Sequence, residues 1–305
     1  MKSLVGAALL TAGFAALPFF TARNDLLNLG VQIFLATALA QSWNLLGGYA
    51  GQINLGHAAF FGLGALTTRT LWVGGTPLAL ALCAGAALAT AFGLLIGGPA
   101  FRLRGAYFAI GTLALAEILR ITVGNLMPEI STIPAVALAS YSIFPRYYLT
   151  LAIAVLCVVV VAVLVPSRVG LGIQAVREDE AAAEATGVGT FCHKLLALAI
   201  STALVGLTGG AFAYYHVSYY PQHTFSPAWT FDAVLISFIG GVGTIHGPVL
   251  GALFYVVLKE LLALRLVELH LLVFGVLFIL VVLFLPGGLV EAWSRARRLI
   301  TTKDA

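Results

Sequence analysis

The chain has 305 residues, of which 61% are hydrophobic and only 9% are charged. A soluble domain of this length would carry roughly 75 charged side chains, whereas this sequence has 16 basic and 12 acidic ones. So little charge cannot cover the surface of a water-soluble globule, and a disordered chain would be more polar. The composition therefore predicts an all-α, polytopic helical membrane protein with a single transmembrane domain over residues 1–305.

About ten apolar runs, separated by proline and charged residues, predict the membrane segments. The first run resembles a signal peptide but lacks a clear A-x-A cleavage site, so we interpret it as a retained span. The stretch 231–265 has a GxxxGxxxG spacing at Gly243, Gly247 and Gly251, and part of it can be re-entrant. The predicted segments lie near residues 4–20, 26–46, 55–73, 77–98, 105–125, 147–166, 195–217, 231–246, 248–265 and 269–286.

The charge of the connections predicts the orientation. Arg102 and Arg104 lie in a short connection and the tail at 287–305 is basic, so both belong in the cytoplasm. The connection 218–230 has no Lys, Arg, Asp or Glu and belongs outside. An even number of crossings then places both termini in the cytoplasm. A basic tail directly after an apolar span favours anchoring at the bilayer over binding to nucleic acid.

The connection 167–194 differs from the others because it holds seven charged side chains. Asp179 can cap a short helix that runs through residues 180–186, and Gly187 and Gly189 are expected to end it. A solvated loop helix would have this composition. The functional alternative is a short, rigid helix presented to a cytoplasmic partner.

Polar residues inside the apolar runs are the candidates for function. Gln52, Asn54 and His57 begin the third segment among several glycines, where they can line a solute path or take part in tight helix packing. Glu117 and Arg120 are three residues apart on one helix face. This spacing suits a structural ion pair or, alternatively, a proton relay.

Other reactive residue types give weaker signals. Asp232 is expected in water at the outer interface, and Arg69 is expected to extend its guanidinium from the third segment to the same interface. Cys83, Cys157 and Cys192 form no disulfide framework and suit the role of small apolar residues. The histidines have no metal-ligand spacing, and no catalytic arrangement or cofactor motif is present. We therefore predict no catalytic, metal-binding or cofactor-binding residues.

Four stretches resemble the permease family of ABC importers for branched-chain amino acids. The pattern is closer to the M-type permease subunit than to its H-type partner, and it covers most of the chain from 44 to 290. The stretches are residues 44–66 (NLLGGYAGQINLGHAAFFGLGAL), 103–121 (LRGAYFAIGTLALAEILRI), 170–188 (GLGIQAVREDEAAAEATGV) continuing through 194–213, and 237–252 (SFIGGVGTIHGPVLGA) followed by the terminal 285–289 (LPGGL).

The resemblance implies a multi-pass subunit of a bacterial inner-membrane transporter. Its implied partners are a homologous permease in a heterodimer, two cytoplasmic ATP-binding subunits and an extracytoplasmic solute-binding protein. The sequence has no GxxxxGK[ST] phosphate loop, so ATP hydrolysis belongs to another chain. The short helix after Asp179 would then be the coupling helix seated in the ATPase. The implied coupling residues are Arg177, Glu178, Asp179, Glu180, Ala181, Ala182, Glu184 and Gly187.

The importer motif of this family has EAA, three residues and Gly, whereas four residues separate Ala182 from Gly187 here. The region 123–136 also lacks the TGG segment of many such permeases. Urea and short-amide permeases share much of the pattern. The alternatives are therefore a urea or short-amide ABC permease, a self-sufficient secondary transporter with Glu117 or Asp232 as the ion-coupled carboxylate, and an intramembrane enzyme.

The solute path is expected between the third segment and the second glycine-rich stretch. A zwitterion that crosses hydrocarbon needs hydrogen-bonding groups, and a closing gate needs backbones that approach closely. A branched-chain solute also needs apolar walls. The expected path residues are Gln52, Asn54, His57, Phe60, Phe61, Gly241, Gly243, Ile245 and His246.

Overall fold

The computed structural model describes residues 2–20, 23–127, 141–265 and 287–292, together with positions 131–132, 138, 273, 275–276, 279 and 283. Within these residues the regular secondary structure is helical, apart from one pair of two-residue strands. In chain order the elements are α1 (Lys2–Phe20), α2 (Asn24–Asn44) with a π-helical turn (Leu45–Tyr49), α3 (His57–Val73), α4 (Leu78–Ala100), α5 (Ala106–Leu126), β1 (Ser131–Thr132), α6 (Ile143–Leu164), α7 (Arg168–Glu178), α8 (Glu180–Ala185), α9 (Thr190–Tyr215), β2 (Ser218–Tyr219), α10 (Pro221–Thr224), α11 (Ala228–Gly240) and α12 (Gly247–Arg265).

The all-α class is as predicted, and five helices of the described residues are long and apolar enough to cross a bilayer. These are α2 with its π-helical turn, α4, α5, α6 and α9. Helix α3 has 17 residues and α11 has 13, fewer than the roughly 20 that span a hydrocarbon core. The predicted segment 269–286 and most of the basic tail lie outside the described residues. The count of ten spans and the side of the termini stay predictions.

Several predicted boundaries are wrong, for local reasons. The segment predicted over 231–246 begins at Ala228 and ends at Gly240, because Gly241 adopts a φ of 126° that a helix cannot continue. Helix α6 begins at Ile143 rather than near 147, since Ser142 caps it and a proline fits its first turn. Helix α9 begins at Thr190 rather than near 195.

The centre of the bundle is formed by α2 and α9, the two most buried of the membrane-length helices. Helix α9 packs against α3, α4 and α2, while α2 also packs against α6, α11 and α12. Small residues permit this density. A Cβ atom added to Gly64 of α3 would overlap the backbone of Gly206 of α9. Close backbone approach at small residues is a general means of packing helices in lipid.

The connections fall into two groups at opposite ends of the bundle. We call the first the charged end, comprising residues 50–56, 101–105, 165–189 and 241–246. We call the second the aromatic end, comprising residues 74–77, 141–142 and 216–227. At the aromatic end β1 and β2 pair antiparallel, with Ser131 opposite Tyr219.

Candidate functional site: a coupling segment, a glycine junction and a cavity

The charged end carries the short helix expected from the sequence. Asp179 Oδ1 accepts hydrogen bonds from the backbone N–H groups of Ala181 and Ala182, at 2.9 and 3.0 Å. The helix stops in a Schellman arrangement, in which Gly187 donates to the Glu184 carbonyl and Val188 donates to the Ala183 carbonyl. Gly187 has a φ of 87°, a conformation that disfavours any side chain.

Gly189 does not end this helix as predicted. It occupies the N-cap position of α9, with an ordinary φ of −71°. The stop therefore depends on Gly187 alone, and only one residue separates it from the cap position of the next helix.

The acidic side chains of α8 bind their own chain. Glu180 forms an ion pair with Lys194 of α9, and Glu184 accepts a hydrogen bond of 2.8 Å from the Thr190 hydroxyl. Lys194 is only 6% exposed, so its ammonium depends on this pairing. The outward surface of α8 is formed by Ala181, Ala182, Glu184 and Ala185, next to the exposed Glu178. Helix α8 is therefore bonded to the first part of α9 through two side chains.

Arg177, at the end of α7, connects the charged end to the π-helical turn. Its Nη1 donates to the Gly48 carbonyl at 2.6 Å. A Cβ atom placed on Gly243 would lie 2.7 Å from the same nitrogen, and one on Gly51 would lie 3.0 Å from Arg177 Cγ. The arginine thus contacts both glycine-rich stretches that the sequence singles out.

Asn44 joins the same two stretches from the other side. Its Oδ1 accepts from the Gly243 N–H at 2.8 Å, and its Nδ2 donates to the Thr244 carbonyl at 3.0 Å. We call Asn44, Gly48, Arg177, Gly243 and Thr244 the glycine junction. A π-helical turn at this point fits the frequent use of such turns at functional sites.

The terminal PGGL motif also meets the second glycine stretch. A Cβ atom on Gly288 would lie 2.5 Å from the Gly241 nitrogen. Sequence reasoning missed Asn44. The signal was present as an amide in an apolar run, three residues before Gly47.

Three of the expected path residues, His57, Phe60 and Phe61, lie on α3, and the other six lie in the connections 50–56 and 241–246. Asn54 is 1% exposed and accepts a hydrogen bond from the Gly56 N–H, while His57 and Phe60 are also buried. His57 Nε2 lies 3.3 Å from the Ser42 hydroxyl. Gln52 is half-buried in the loop before α3. The two glycine-rich stretches meet at Gly48 and Gly243 and through the side chain of Asn44.

A cavity of about 400 Å³ lies near the aromatic end, between α2, α9, α11 and α12. Phe61 is the one expected path residue on its wall, where its ring stacks on Trp229 with 4.9 Å between centroids. Asp232 and Lys259 form an ion pair on its wall, with 3.5 Å between Oδ2 and Nζ. Tyr255 donates a hydrogen bond to Asp232 Oδ1. Asp232 therefore belongs to a partly buried charged pair, which the sequence did not reveal.

A second cavity of about 230 Å³ adjoins the first and shares part of its wall. The shared residues include His216, His223 and Trp229, and the exposed Tyr220 lies on its far side. Burial lowers the pKa of His216, helped by the nearby His223 and Arg69, while its hydrogen bond to the Phe212 carbonyl acts against the shift. His216 is thereby kept neutral at the boundary between the two cavities.

The expectation that the Arg69 side chain extends to the membrane interface is wrong. It is only 1% exposed and its guanidinium donates to the carbonyls of Ala213, His216 and Val217 at 3.1, 3.0 and 2.8 Å. Arg146 donates in the same way to the Tyr214 carbonyl. Both charges neutralise the carbonyl-rich C-terminal end of α9, where helix geometry leaves acceptors unsatisfied.

Glu117 and Arg120 form the ion pair that their spacing predicts. Arg120 Nε lies 2.8 Å from Glu117 Oε2, and a second nitrogen contacts the other carboxylate oxygen. The side chains of Glu117 and Arg120 are 39% and 30% exposed, respectively, on a helix whose other outward residues are apolar. The two-point contact suits a structural role.

Comparisons with known proteins agree with this architecture. Residues 25–282 match the family described as branched-chain amino acid transport system, permease component. A relative from Escherichia coli K12, the high-affinity branched-chain amino acid transport system permease protein LivM, is 29% identical across 90% of this chain and 72% of its own length. Its counterpart from Salmonella typhimurium is 28% identical over the same shares. A probable branched-chain amino acid transport permease protein LivM from Methanocaldococcus jannaschii is 29% identical across 67% of this chain and 66% of its own length. No solved structure matches.

Proposed function

This chain belongs to the family of permease components of branched-chain amino acid transport systems, and from that premise we propose that it is the membrane-spanning subunit of an ABC importer. The importer carries branched-chain or related amino acids into the cell. ATP is hydrolysed on two separate cytoplasmic subunits. A homologous permease and an extracytoplasmic solute-binding protein complete the assembly.

The glycine junction is the observation that carries the mechanism. Coupling requires a rigid element that contacts the ATPase and is connected to the closed part of the solute path. Helix α8 has the required rigidity, since its ends are fixed by Asp179 and Gly187. Arg177, two residues before that cap, donates to Gly48 and contacts Gly243. The coupling segment and the two glycine-rich stretches are thereby one connected unit.

We infer that the present arrangement is a closed one. Gly48 and Gly243 are so close that a Cβ on Gly48 would lie 2.8 Å from the Gly243 nitrogen. The side-chain amide of Gln41 and His57 Nδ1 are buried and have no hydrogen-bond partner among the described residues. Buried polar groups without partners are costly, and hydration in an open state would satisfy them. This supports a path that opens beside α2 and α3.

In this mechanism the ATPase displaces α8, and Arg177 transfers the displacement to the Gly48 carbonyl. The hydrogen bonds of Asn44 to Gly243 and Thr244 then determine whether the loop 241–246 follows. The charged end faces the cytoplasm, in keeping with Arg102, Arg104 and Arg168 in its connections.

The test is reconstitution of the complete importer in proteoliposomes, with ATP inside and the binding protein outside. We expect ATP-dependent uptake of L-leucine by the full assembly and none by this subunit alone. Uptake by the subunit alone, driven by an ion gradient, would instead establish a secondary transporter. Uptake of urea but not leucine would establish the amide permease alternative.

The coupling mechanism has its own variant and control. Arg177→Ala should leave ATP hydrolysis in place and reduce leucine uptake at least tenfold, because the contact with Gly48 is lost. Arg168→Ala removes an exposed arginine at the other end of the same helix and should transport normally. Equal uptake by the two variants would overturn the role of Arg177.

A further inference from the structure

We propose that the cavity between α2, α9, α11 and α12 is a binding site for the zwitterionic head and aliphatic side chain of an amino acid. This inference rests on the proposed function and specifies a site within it. Asp232 would receive the ammonium group, and Lys259 would receive the carboxylate. The cavity volume of about 400 Å³ lies in the range of sites that hold small molecules.

The charges of the site complement those of a zwitterion. Asp232 and Lys259 now form an ion pair across 3.5 Å, and both retain exposure, 29% and 49% of their side chains. An incoming zwitterion would replace this pair with two, leaving no charge unpaired and no net charge added. A solute with only one of the two charges would leave Asp232 or Lys259 without a partner, which is costly in a partly buried site.

The carboxylate of Asp232, on α11, is held by two residues of α12. Tyr255 donates to Asp232 Oδ1, and Lys259 follows Tyr255 by one turn on the same helix. Lys259 Nζ also lies 5.4 Å from the centre of the Tyr255 ring. Tyr255 therefore holds one oxygen of Asp232 and leaves the other free to exchange Lys259 for an ammonium group.

The remaining wall suits a branched aliphatic side chain. Phe61 lies on the α3 side of the cavity, and apolar residues of α2, α11 and α12 contribute the rest. These include Leu35, Leu39, Ile236 and Val256. The wall next to the aromatic end is formed by Trp229, His216 and His223, and the adjoining second cavity is also lined by Ser218 and Tyr220, which are exposed. This gives a route for a solute delivered at that end.

The test measures direct binding of L-leucine to the permease–ATPase assembly in nanodiscs, without the binding protein. Trp229 on the cavity wall reports binding through its fluorescence, and Trp229→Phe identifies its share of the signal. Two analogues each lack one charge of leucine: isocaproate lacks the ammonium and isopentylamine lacks the carboxylate. In the unmodified assembly leucine should bind at least tenfold more tightly than either analogue.

Each of the two charge-removing variants should lose the preference for leucine over a different analogue. In Asp232→Asn, leucine should lose its advantage over isocaproate; in Lys259→Gln, it should lose its advantage over isopentylamine. A general loss of structure would not produce this pattern. Glu260→Gln, one residue along the same helix and outside the cavity lining, should bind leucine normally.

Two outcomes would overturn the site. One is leucine affinity within twofold of the unmodified assembly in both variants, and the other is a Trp229 signal that leucine never changes. ATP-dependent leucine uptake by the complete importer would survive either result, so failure of this site and failure of the proposed function are separable. The charge-exchanged double variant Asp232→Lys with Lys259→Asp should restore part of the affinity.

Discussion

Single side chains at the aromatic end show why a charge in an apolar segment is not automatically a functional group. Arg69 is buried, and its guanidinium donates hydrogen bonds to three carbonyls where α9 ends. The sequence indicated only its depth in the membrane segment. Its acceptors lie 144 to 148 positions along the chain, and no local spacing reveals them.

Arg69→Leu should lower the free energy of unfolding by about 3 kcal/mol, because charge-assisted hydrogen bonds are lost and buried carbonyls stay unsatisfied. The measurement is the midpoint of thermal unfolding in detergent. The unfolding midpoint of Arg69→Lys should lie between those of the unmodified protein and Arg69→Leu, since an ammonium cannot reproduce the guanidinium fork. Arg104→Leu, at an exposed position of the charged end, is the control, and an equal midpoint for it and Arg69→Leu would contradict this role.

Asn44 has a different role at the same scale, since it holds two backbone stretches that are about 200 residues apart. Asn44→Ala should lower leucine uptake severalfold while assembly with the ATPases is unchanged, because the loop 241–246 no longer follows the π-helical turn. Uptake by the reconstituted importer is the measurement. Asn28→Ala removes another amide of α2, which accepts from Tyr215, and should leave uptake intact.

At the scale of an element, α8 is a helix too short to be stable alone, with only six residues. It exists because its first turn is capped by Asp179, its last is closed by Gly187, and its acids bind α9. Local signals in the sequence revealed the cap and the stop. They did not reveal that Glu180 and Glu184 bond within the chain, to Lys194 and Thr190, although Glu184 stays exposed beside Ala181 and Ala182.

Gly187→Ala and Gly189→Ala form a matched pair that tests this element. Neither added Cβ meets another atom within 4 Å, but only Gly187 has a positive φ. The first variant should strain the stop by about 1 kcal/mol and reduce leucine-stimulated ATP hydrolysis. The second should behave as the unmodified protein. Identical ATPase stimulation in both would remove the stop from the coupling mechanism.

At the scale of the molecule, the sequence predicted the class and most helices, because apolar length and proline mark them directly. It placed the i,i+3 pair of Glu117 and Arg120 correctly for the same local reason. The glycine junction and the cavity could not be predicted from the sequence, since each brings together residues that are far apart along the chain. Helices that are apolar on every side carry no periodic signal of which face meets which neighbour.

The orientation of the whole molecule in the membrane can be tested by chemical labelling. In a background with the exposed Cys83 and Cys192 changed to Ser, Gln222→Cys should react with a membrane-impermeant maleimide from outside intact cells. In cells that lack the ATPase subunits, which would otherwise cover α8, Ala182→Cys should react only after the membrane is opened. Both positions are exposed, so a failure to react reports the side of the membrane. Reversed reactivity would place the charged end outside and contradict the proposed direction of coupling.

Helix α11 also has a consequence for the lipid around the protein. Its 13 residues extend about 20 Å, against a hydrocarbon core of about 30 Å, and Phe231 on it is 49% exposed. Where lipid contacts this face directly, the bilayer would have to thin to match it, and the elastic cost of thinning grows with acyl-chain length. Transport would then depend on bilayer thickness. Short-chain phosphatidylcholines would lower the cost of deforming the bilayer, and long-chain ones would destabilise the α11–α12 hairpin.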